Sequence, residues 1–238
     1  LAVWDNVEGR LLLARDPAGI KPLFYHYDGS RIIFSSELRG VLESGIPRKL
    51  NRTAFGHYLR LLYIPHGMTL VEGVSELNAG ELLVYQNGEL RSSIFSKGWP
   101  EEASLSYNDA VVSVKARVKN AVHRQLVADR PVGLYVSGGV DSSVILAAAS
   151  EVHPKINTFS VGFQLGEGEE KDKFNADSEI ASRTARHFGA THHAMTLEAR
   201  DVASLFPTMI RHMSNPVANA TALSQLYLAQ KTKDTATV

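Results

Sequence analysis

Cysteine is absent from all 238 residues. No disulfide, no thiolate metal site and no cysteine nucleophile can therefore lie within the chain. Net charge is absent as well, because 25 Lys and Arg balance 25 Asp and Glu. No basic tract stands out, which argues against nucleic acid and against an anionic membrane as partners. No apolar run approaches the ~20 residues that a membrane-spanning helix needs. The first residues carry no signal-peptide pattern, so a cytoplasmic location is expected. What the chain does have is apolar material. The hydrophobic set makes up 44% of the residues, enough for one large core or two small ones. The chain opens on Leu1 inside the strand-like run "LAVWD" and closes on "DTATV" without a cap. It reads as an internal section of a longer protein.

The two halves follow different patterns. Residues 1–97 are short apolar and aromatic runs, "LAVWD", "RLLLARD", "PLFYHY" and "RIIFSS", separated by "EGR", "DPAG" and "YDGS". Such runs between turn residues predict antiparallel strands. "ELLVYQNGELRSSIF" predicts a hairpin, with Asn87-Gly88 supplying the two positive-φ residues of a type I′ turn. Helices are predicted around Glu37–Ser44 and around Arg52–Leu62, the second capped by Asn51. Residues 98–106, "GWPEEASLS", read as a linker.

From 107 onward the period changes. Val111, Val114, Val118, Val122 and Leu126 recur at three- and four-residue steps, which predicts a helix with one apolar face. Ser106 and Asp109 fit its capping box. Strands are predicted at "RPVGLYV", "KINTFSVGF" and "THHAMTL". Helices are predicted at "SSVILAAAS", Ser178–His187, 200–213 and 221–232, with Pro207 kinking or splitting the third of these. Strand–helix alternation predicts a parallel sheet covered on both faces, with Val132–Val136 as a central strand. The acidic run "GEGEEKDK" at 166–173 reads as a solvated loop.

"SGGVDSS" stands between a predicted strand and a predicted helix. A helix N-terminus offers unpaired N–H groups and a positive dipole end. Glycines let those amides approach an anion with no Cβ in the way. Ser137, Ser142 and Ser143 add hydroxyl groups, so the loop reads as a phosphate cradle. It has no Gly-Lys-Ser/Thr and is not GxGxxG, which excludes the Walker A and dinucleotide fingerprints. Asp141 would repel a bare phosphate but suits one that carries a divalent cation.

This loop resembles the pyrophosphate loop of the ATP pyrophosphatase families. "RDPAGIKPLFY", "FSSELRGVL" and "ELNAGELLVYQNGELRSSIF" resemble, in that order, part of a class II glutamine amidotransferase domain. Followed by "DRPVGLYVSGGVDSS", "TFSVGF" and "HFGATHH", they make the chain similar to the bacterial type of the glutamine-hydrolysing asparagine synthetase family. The resemblance implies the rear half of an α+β N-terminal-nucleophile αββα sandwich over 1–97. Over 107–238 it implies the front half of an α/β doubly wound, adenine-nucleotide α-hydrolase-like domain. It implies ATP binding by Val136, Ser137, Gly138, Gly139, Val140, Asp141, Ser142, Ser143 and Val161, with Asp141 touching Mg²⁺ indirectly. Arg15, Asp16 and Gly19 match the amidotransferase part, the first two reading as a structural ion pair near the domain interface. Glu37 lines the ammonia passage or serves as a helix N-terminal acid. His192 and His193 alternate faces in a strand, one of them expected buried, and neither suits a metal.

The implied reaction takes glutamine, aspartate and ATP to asparagine, AMP and pyrophosphate through β-aspartyl-AMP, in an assembly expected to be a homodimer. No catalytic residue is expected within the chain. The nucleophilic Cys is expected upstream, and the second, SGEGxDE-like ATP motif downstream. Ser214 and Asn215 stand where many members carry an acid before the Pro. Other carboxylate acceptors, as in cell-surface polymer biosynthesis, therefore stay open, as does a non-catalytic nucleotide-binding remnant.

Overall fold

The computed structural model describes residues 1–96, 104–166 and 171–236. Most of the expected linker 98–106, together with Trp99 and the centre of the acidic run, lies outside them. The chain divides into two compact units, Leu1–Glu102 with Arg211–Asn219, and Ala103–Ile210 with Ala220–Val238.

The first unit is built on two antiparallel sheets. One joins β1 (Ala2–Asp5), β2 (Arg10–Ala14), β6 (Glu81–Gln86) and β7 (Glu89–Ile94) in that order. The other has the order β4 (Ile32–Ser35), β3 (Phe24–Tyr27), β5 (Val74–Glu76). The β6–β7 turn holds Asn87 at φ 52° and Gly88 at φ 82°, as the hairpin requires. Alternation sends Leu13 and Leu83 inward from the first sheet, and they meet Leu23, Tyr25, Ile32 and Leu77 of the second sheet and its flanks. The opposite face of the second sheet carries Phe24 and Val74, which pack against Leu38 and Val41 of α1 (Leu38–Leu42). This helix is shorter than expected, with Glu37 only at its cap position. α2 (Arg52–Leu61) starts at Asn51, whose side chain accepts the Ala54 N–H, and ends at Leu62 in the left-handed region. Residues of the Arg211–Asn219 segment complete this unit. The Ser214 hydroxyl accepts the Leu38 N–H at 3.2 Å, and Ala218 N–H donates to Leu62 O at 2.9 Å.

In the second unit β8 (Gly133–Tyr135), β9 (Asn157–Phe163) and β10 (Thr191–Leu197) form a parallel sheet in the order β10-β9-β8. The strand expected at the centre is therefore at the edge, and β9 is central. The reason is topological. Each described crossover carries the next strand one place further in the same direction, so among the described strands the first is outermost. The reversal of strand order that defines a doubly wound sheet is not found among the described residues.

Helices cover both faces of this sheet. On one face α4 (Val140–Ser150) and α5 (Lys171–His187) bury Leu146, Ala149, Ala181 and Ala185 against Val136 and Ile156. On the other, α6 (Ala199–His212) and α7 (Thr221–Thr232) bring Met209, Leu223, Tyr227 and Leu228 against Phe159, Val161, Met195 and Leu197. α5 begins inside the acidic run that reads as loop, because the helix extends toward the N-terminus beyond Ser178. α6 passes through Pro207 as one helix. The carbonyl that loses its partner belongs to Ala203, which is exposed and can turn to water. α3 (Tyr107–Gln125) has the expected Ser106–Asp109 capping box. Its apolar face is only half covered. Val122 and Leu126 join the core, whereas Val111 and Val114 are 49% and 59% exposed.

Candidate functional site

The link from β8 to α4 is set by one steric constraint. Gly138 has φ +75°, and a Cβ there would lie 2.5 Å from Asp177 O and 2.9 Å from Ile180 Cβ. Only glycine lets the loop turn this tightly against α5. Gly139 follows as the N-cap of α4 at φ −72°, ψ 162°, and no side chain caps the helix. The first amides of α4 therefore point out of the helix end unclaimed by any side chain. The serines brace the loop from within. Ser142 Oγ donates to Gly139 O at 3.1 Å and accepts the Ser137 N–H at 3.3 Å. Ser143 Oγ donates to the same carbonyl at 2.8 Å. Asp141 sits in the first turn of α4, exposed.

Beside this loop, at the carboxyl ends of the three strands, lies a hollow of about 580 Å³. Tyr135, Val136 and Ser137 form one side of it, and Phe159, Ser160, Val161 and Phe163 form the floor. α6 and α7 wall it with Phe206, Met209 and Leu228, and Asp177 and Ser178 close it beside the loop. A second hollow of the same volume, lined by Arg130, Val132, His153 and Asn157, opens at the amino ends of the strands. Ligands of open parallel sheets bind at the carboxyl ends, and the cradle lies there too.

Of the residues expected at the site, Val136, Ser137 and Val161 line the hollow. Gly138, Gly139, Asp141, Ser142 and Ser143 form the adjoining loop and first turn. Val140 is 79% exposed and does not line it. Val136 N–H donates to Phe159 O at 2.9 Å, which ties the loop to the central strand. Among the described residues no group of three acidic, His or Cys side chains could hold a metal on its own.

The sequence reading missed Asp177, Ser178, Ser160 and the face that Ser160 shares. Thr158 and Ser160 are buried on the α5 side of β9. The pairing register brings His192 alongside Thr158, where it bonds to both hydroxyls, at 2.9 and 3.1 Å. Burial, reinforced by His193, pushes the His192 pKa down and keeps its ring neutral. His193 faces the other way, stacks on Phe159 and bonds to Asn157. The signal for this polar row was present as the alternation of hydroxyl and apolar residues in "NTFSV".

In the first unit, the expected Arg15–Asp16 pair does not form. Arg15, 5% exposed, places Nη1 2.9 Å from Glu76 Oε1, and its guanidinium also donates to the carbonyls of Leu77 and Gly19. Asp16 instead accepts the Ile20 and Lys21 N–H groups, both at 3.0 Å, and these bonds lower its pKa. Both residues lie past the end of β2, where Asp16 opens a turn whose amides occupy its carboxylate, while the Arg15 guanidinium is taken by Glu76. Gly19 closes the turn that follows Asp16 at φ +66°, its N–H donating to Asp16 O at 2.9 Å. Glu37 is exposed and pairs with Arg39 at 3.3 Å.

Residues 1–96 match the glutamine amidotransferase domain, and residues 113–238 match asparagine synthase. The chain thus joins two domain types, a glutamine amidotransferase domain and an asparagine synthase domain. It belongs to the asparagine synthase family.

Among its relatives is asparagine synthetase [glutamine-hydrolyzing] 1 of Bacillus subtilis, 27% identical over 237 residues, covering 99% of this chain and 36% of the relative. Asparagine synthetase [glutamine-hydrolyzing] 3 of the same organism is 31% identical over 217 residues, covering 84% and 34%. Amidase chyE of Penicillium rubens is 26% identical over 248 residues, covering 96% and 35%. The chain spans about a third of the length of these curated relatives. A solved NH3-dependent NAD synthetase from Campylobacter jejuni overlaps 55% of this chain and 50% of its own, at 14% identity and a TM-score of 0.31, too slight a likeness to define the fold.

Proposed function

We propose that the chain is part of an ATP-dependent, glutamine-hydrolysing ligase that converts aspartate to asparagine. In this reading residues 1–97 belong to an N-terminal-nucleophile sandwich that hydrolyses glutamine, with the nucleophilic Cys supplied from outside these residues. Residues 107–238 belong to an adenine-nucleotide α-hydrolase-like domain that activates the acceptor, and the enzyme works in the cytoplasm. The observation that carries the proposal is the SGGVDSS turn, with its uncapped helix end, beside an apolar hollow at the carboxyl ends of a parallel sheet.

The donor set fits ATP. The flat apolar space between Val136, Val161 and Phe206 suits a purine ring, and the amides of the Gly138–Gly139 turn and of the first turn of α4 suit phosphate oxygens. The Ser137, Ser142 and Ser143 hydroxyls can swing from their internal bonds to the same oxygens. Asp141 alone would not hold a cation. A Mg²⁺ ion held by phosphate oxygens and water would meet Asp141 indirectly, the carboxylate accepting hydrogen bonds from the ion's water.

The chemistry follows from charge. A carboxylate oxygen of aspartate attacks the α-phosphorus, an O–P bond forms, and pyrophosphate leaves with the bonding pair. The cradle stabilises that growing negative charge with dipoles already in place. Ammonia then attacks the acyl carbon of β-aspartyl-AMP, AMP leaves, and a proton is lost to give the amide. Glu37, exposed at the start of α1, is a candidate for lining the ammonia passage.

The test is to supply the whole protein with glutamine, aspartate and ATP–Mg²⁺ and to measure asparagine, AMP and pyrophosphate. Equal amounts of the three are expected. ADP and phosphate in their place would refute the adenylation chemistry, and amidation of another carboxylate in preference to aspartate would refute the acceptor.

A further inference from the structure

A line of polar side chains runs under the hollow from its edge into the sheet. Ser178 Oγ lies 3.2 Å from Ser160 Oγ. Ser160 Oγ lies 3.1 Å from His192 Nε2, and His192 Nδ1 lies 2.9 Å from Thr158 Oγ1. Thr158 Oγ1 ends the line on the carbonyl of Thr191, at 3.4 Å.

The protons in this line can be ordered from its inner end. With the Thr158 hydroxyl as donor to Thr191 O, which can only accept, its oxygen accepts from His192. A neutral imidazole has one N–H. It is therefore on Nδ1, and Nε2 accepts. Ser160 then donates to Nε2, and its oxygen accepts the proton of Ser178. Every hydroxyl proton is committed inward. Ser178, which lines the hollow, is left presenting lone pairs to whatever occupies it.

Position says what that occupant offers. The preceding residue, Asp177, has its carbonyl against Gly138 of the cradle. Away from the loop the hollow turns apolar, with Phe206, Met209 and Leu228. Ser178 thus lies at the loop end of the apolar space. In a nucleoside triphosphate the group between base and phosphates is the sugar, and sugar hydroxyls donate hydrogen bonds. We propose that Ser178 determines sugar specificity by accepting a hydrogen bond from a ribose hydroxyl of the bound nucleotide, with Ser160 and His192 as positioning residues that fix the direction of its proton. This rests on the nucleotide-binding reading above.

Titration calorimetry of the whole protein with ATP–Mg²⁺, 2′-deoxy-ATP and 3′-deoxy-ATP tests it. A site built to pair a hydroxyl discriminates against the analogue that lacks it, so one deoxy analogue should bind about tenfold more weakly than ATP. Ser178→Ala should bring ATP and that analogue within about twofold of each other. Ser178→Thr, which keeps the hydroxyl, should retain the preference. Ser160→Ala should lower the preference without touching the ligand, which a merely structural role would not do. If Ser178→Ala loses its helical circular dichroism, Ser178→Cys, similar in size and a weak acceptor, takes its place and should lose the preference. Equal binding of ATP and both analogues to the unaltered protein overturns the sugar assignment and leaves the nucleotide reading standing. No binding of ATP at all overturns both.

Discussion

Replacing Gly138 by alanine should disable the cradle and loosen the second unit. The size of the effect follows from two terms. Gly138 sits at φ +75°, where an L-residue other than glycine costs about 1–2 kcal/mol. The new Cβ would stand 2.5 Å from Asp177 O, a backbone atom of α5, and 2.9 Å from Ile180 Cβ. Neither is the free end of a flexible side chain. The loop or the helix must move, and overpacking of this kind costs about 1–3 kcal/mol more. The sum, about 2–5 kcal/mol, corresponds to a fall in melting temperature of roughly 5–15 °C for a unit of this size. Gly139→Ala is the control. At φ −72° alanine is unstrained, and its Cβ would meet only Ser137 Oγ, at 3.5 Å. Its melting temperature should match the unaltered chain within about 2 °C. Differential scanning calorimetry of the two variants decides, with ATP titration as a second readout. A Gly138→Ala chain that melts with the unaltered protein and binds ATP as well would refute the steric account of the loop.

In the whole protein, Asp141→Ala should abolish ATP-dependent synthesis while glutamine hydrolysis continues, and coupled pyrophosphate and glutamate assays separate the two. Glu76→Gln should cost the first unit about 3 kcal/mol, because it leaves the Arg15 guanidinium buried with only carbonyls for company; an unchanged melting temperature would mean that the pair contributes nothing. The carboxyls of Asp5, Asp16 and Asp28 are held below the ordinary range, chiefly by backbone N–H bonds, so the stability they confer is present above about pH 4 and lost as pH falls through their lowered values. His192, kept neutral by burial, adds a loss that starts below about pH 6.5. Asp16→Asn should flatten the acid limb of a melting-temperature profile, and an identical limb would count against this linkage. The 238-residue chain alone, having no Cys, should release no glutamate from glutamine in an enzymatic assay; release above a blank would point to another nucleophile.

Local signals were legible wherever one short stretch determines its own geometry. Asn51 and Ser106 cap the helices they precede, and Asn87-Gly88 turns the hairpin. The SGGVDSS loop joins strand to helix through a turn that admits only glycine at 138. Features set by distant neighbours were not legible. Strand order is decided by which way each crossover falls, so the edge position of β8 could not be read from its apolar residues. Val111 and Val114 share the period of Val122, yet what covers a helix face is a tertiary matter, and they are exposed. Adjacent residues invite pairing on paper. Arg15 instead reaches Glu76, far along the chain, while the Asp16 carboxylate is held by the amides of the turn that follows it.

β8 lies at the edge of the described strands, and the hollow can be traced among them without a reversal of order. In a doubly wound sheet the crevice arises where strand order reverses. In the described strands order does not reverse. What changes is the face the chain covers. α4 and α5 lie on one side, and after β10 the chain crosses to lay α6 and α7 on the other. The strand ends between those two sets of helices are left uncovered, and the hollow is that gap. Its polarity follows from the same crossing. The wall from α6 and α7 was drawn there by apolar burial and supplies Phe206, Met209 and Leu228. The opposite wall is a helix start and its loop, which supplies amides and hydroxyls together with the Asp141 carboxylate. Between them β9 is buried on both faces, one row apolar through Phe159 and Val161, the other hydroxyl-bearing through Thr158 and Ser160. A ligand that is apolar at one end, hydroxylated in the middle and anionic at the other would match these surfaces in order. That gradient follows from topology and strand alternation together, and it supports a nucleotide more specifically than the glycine loop does alone.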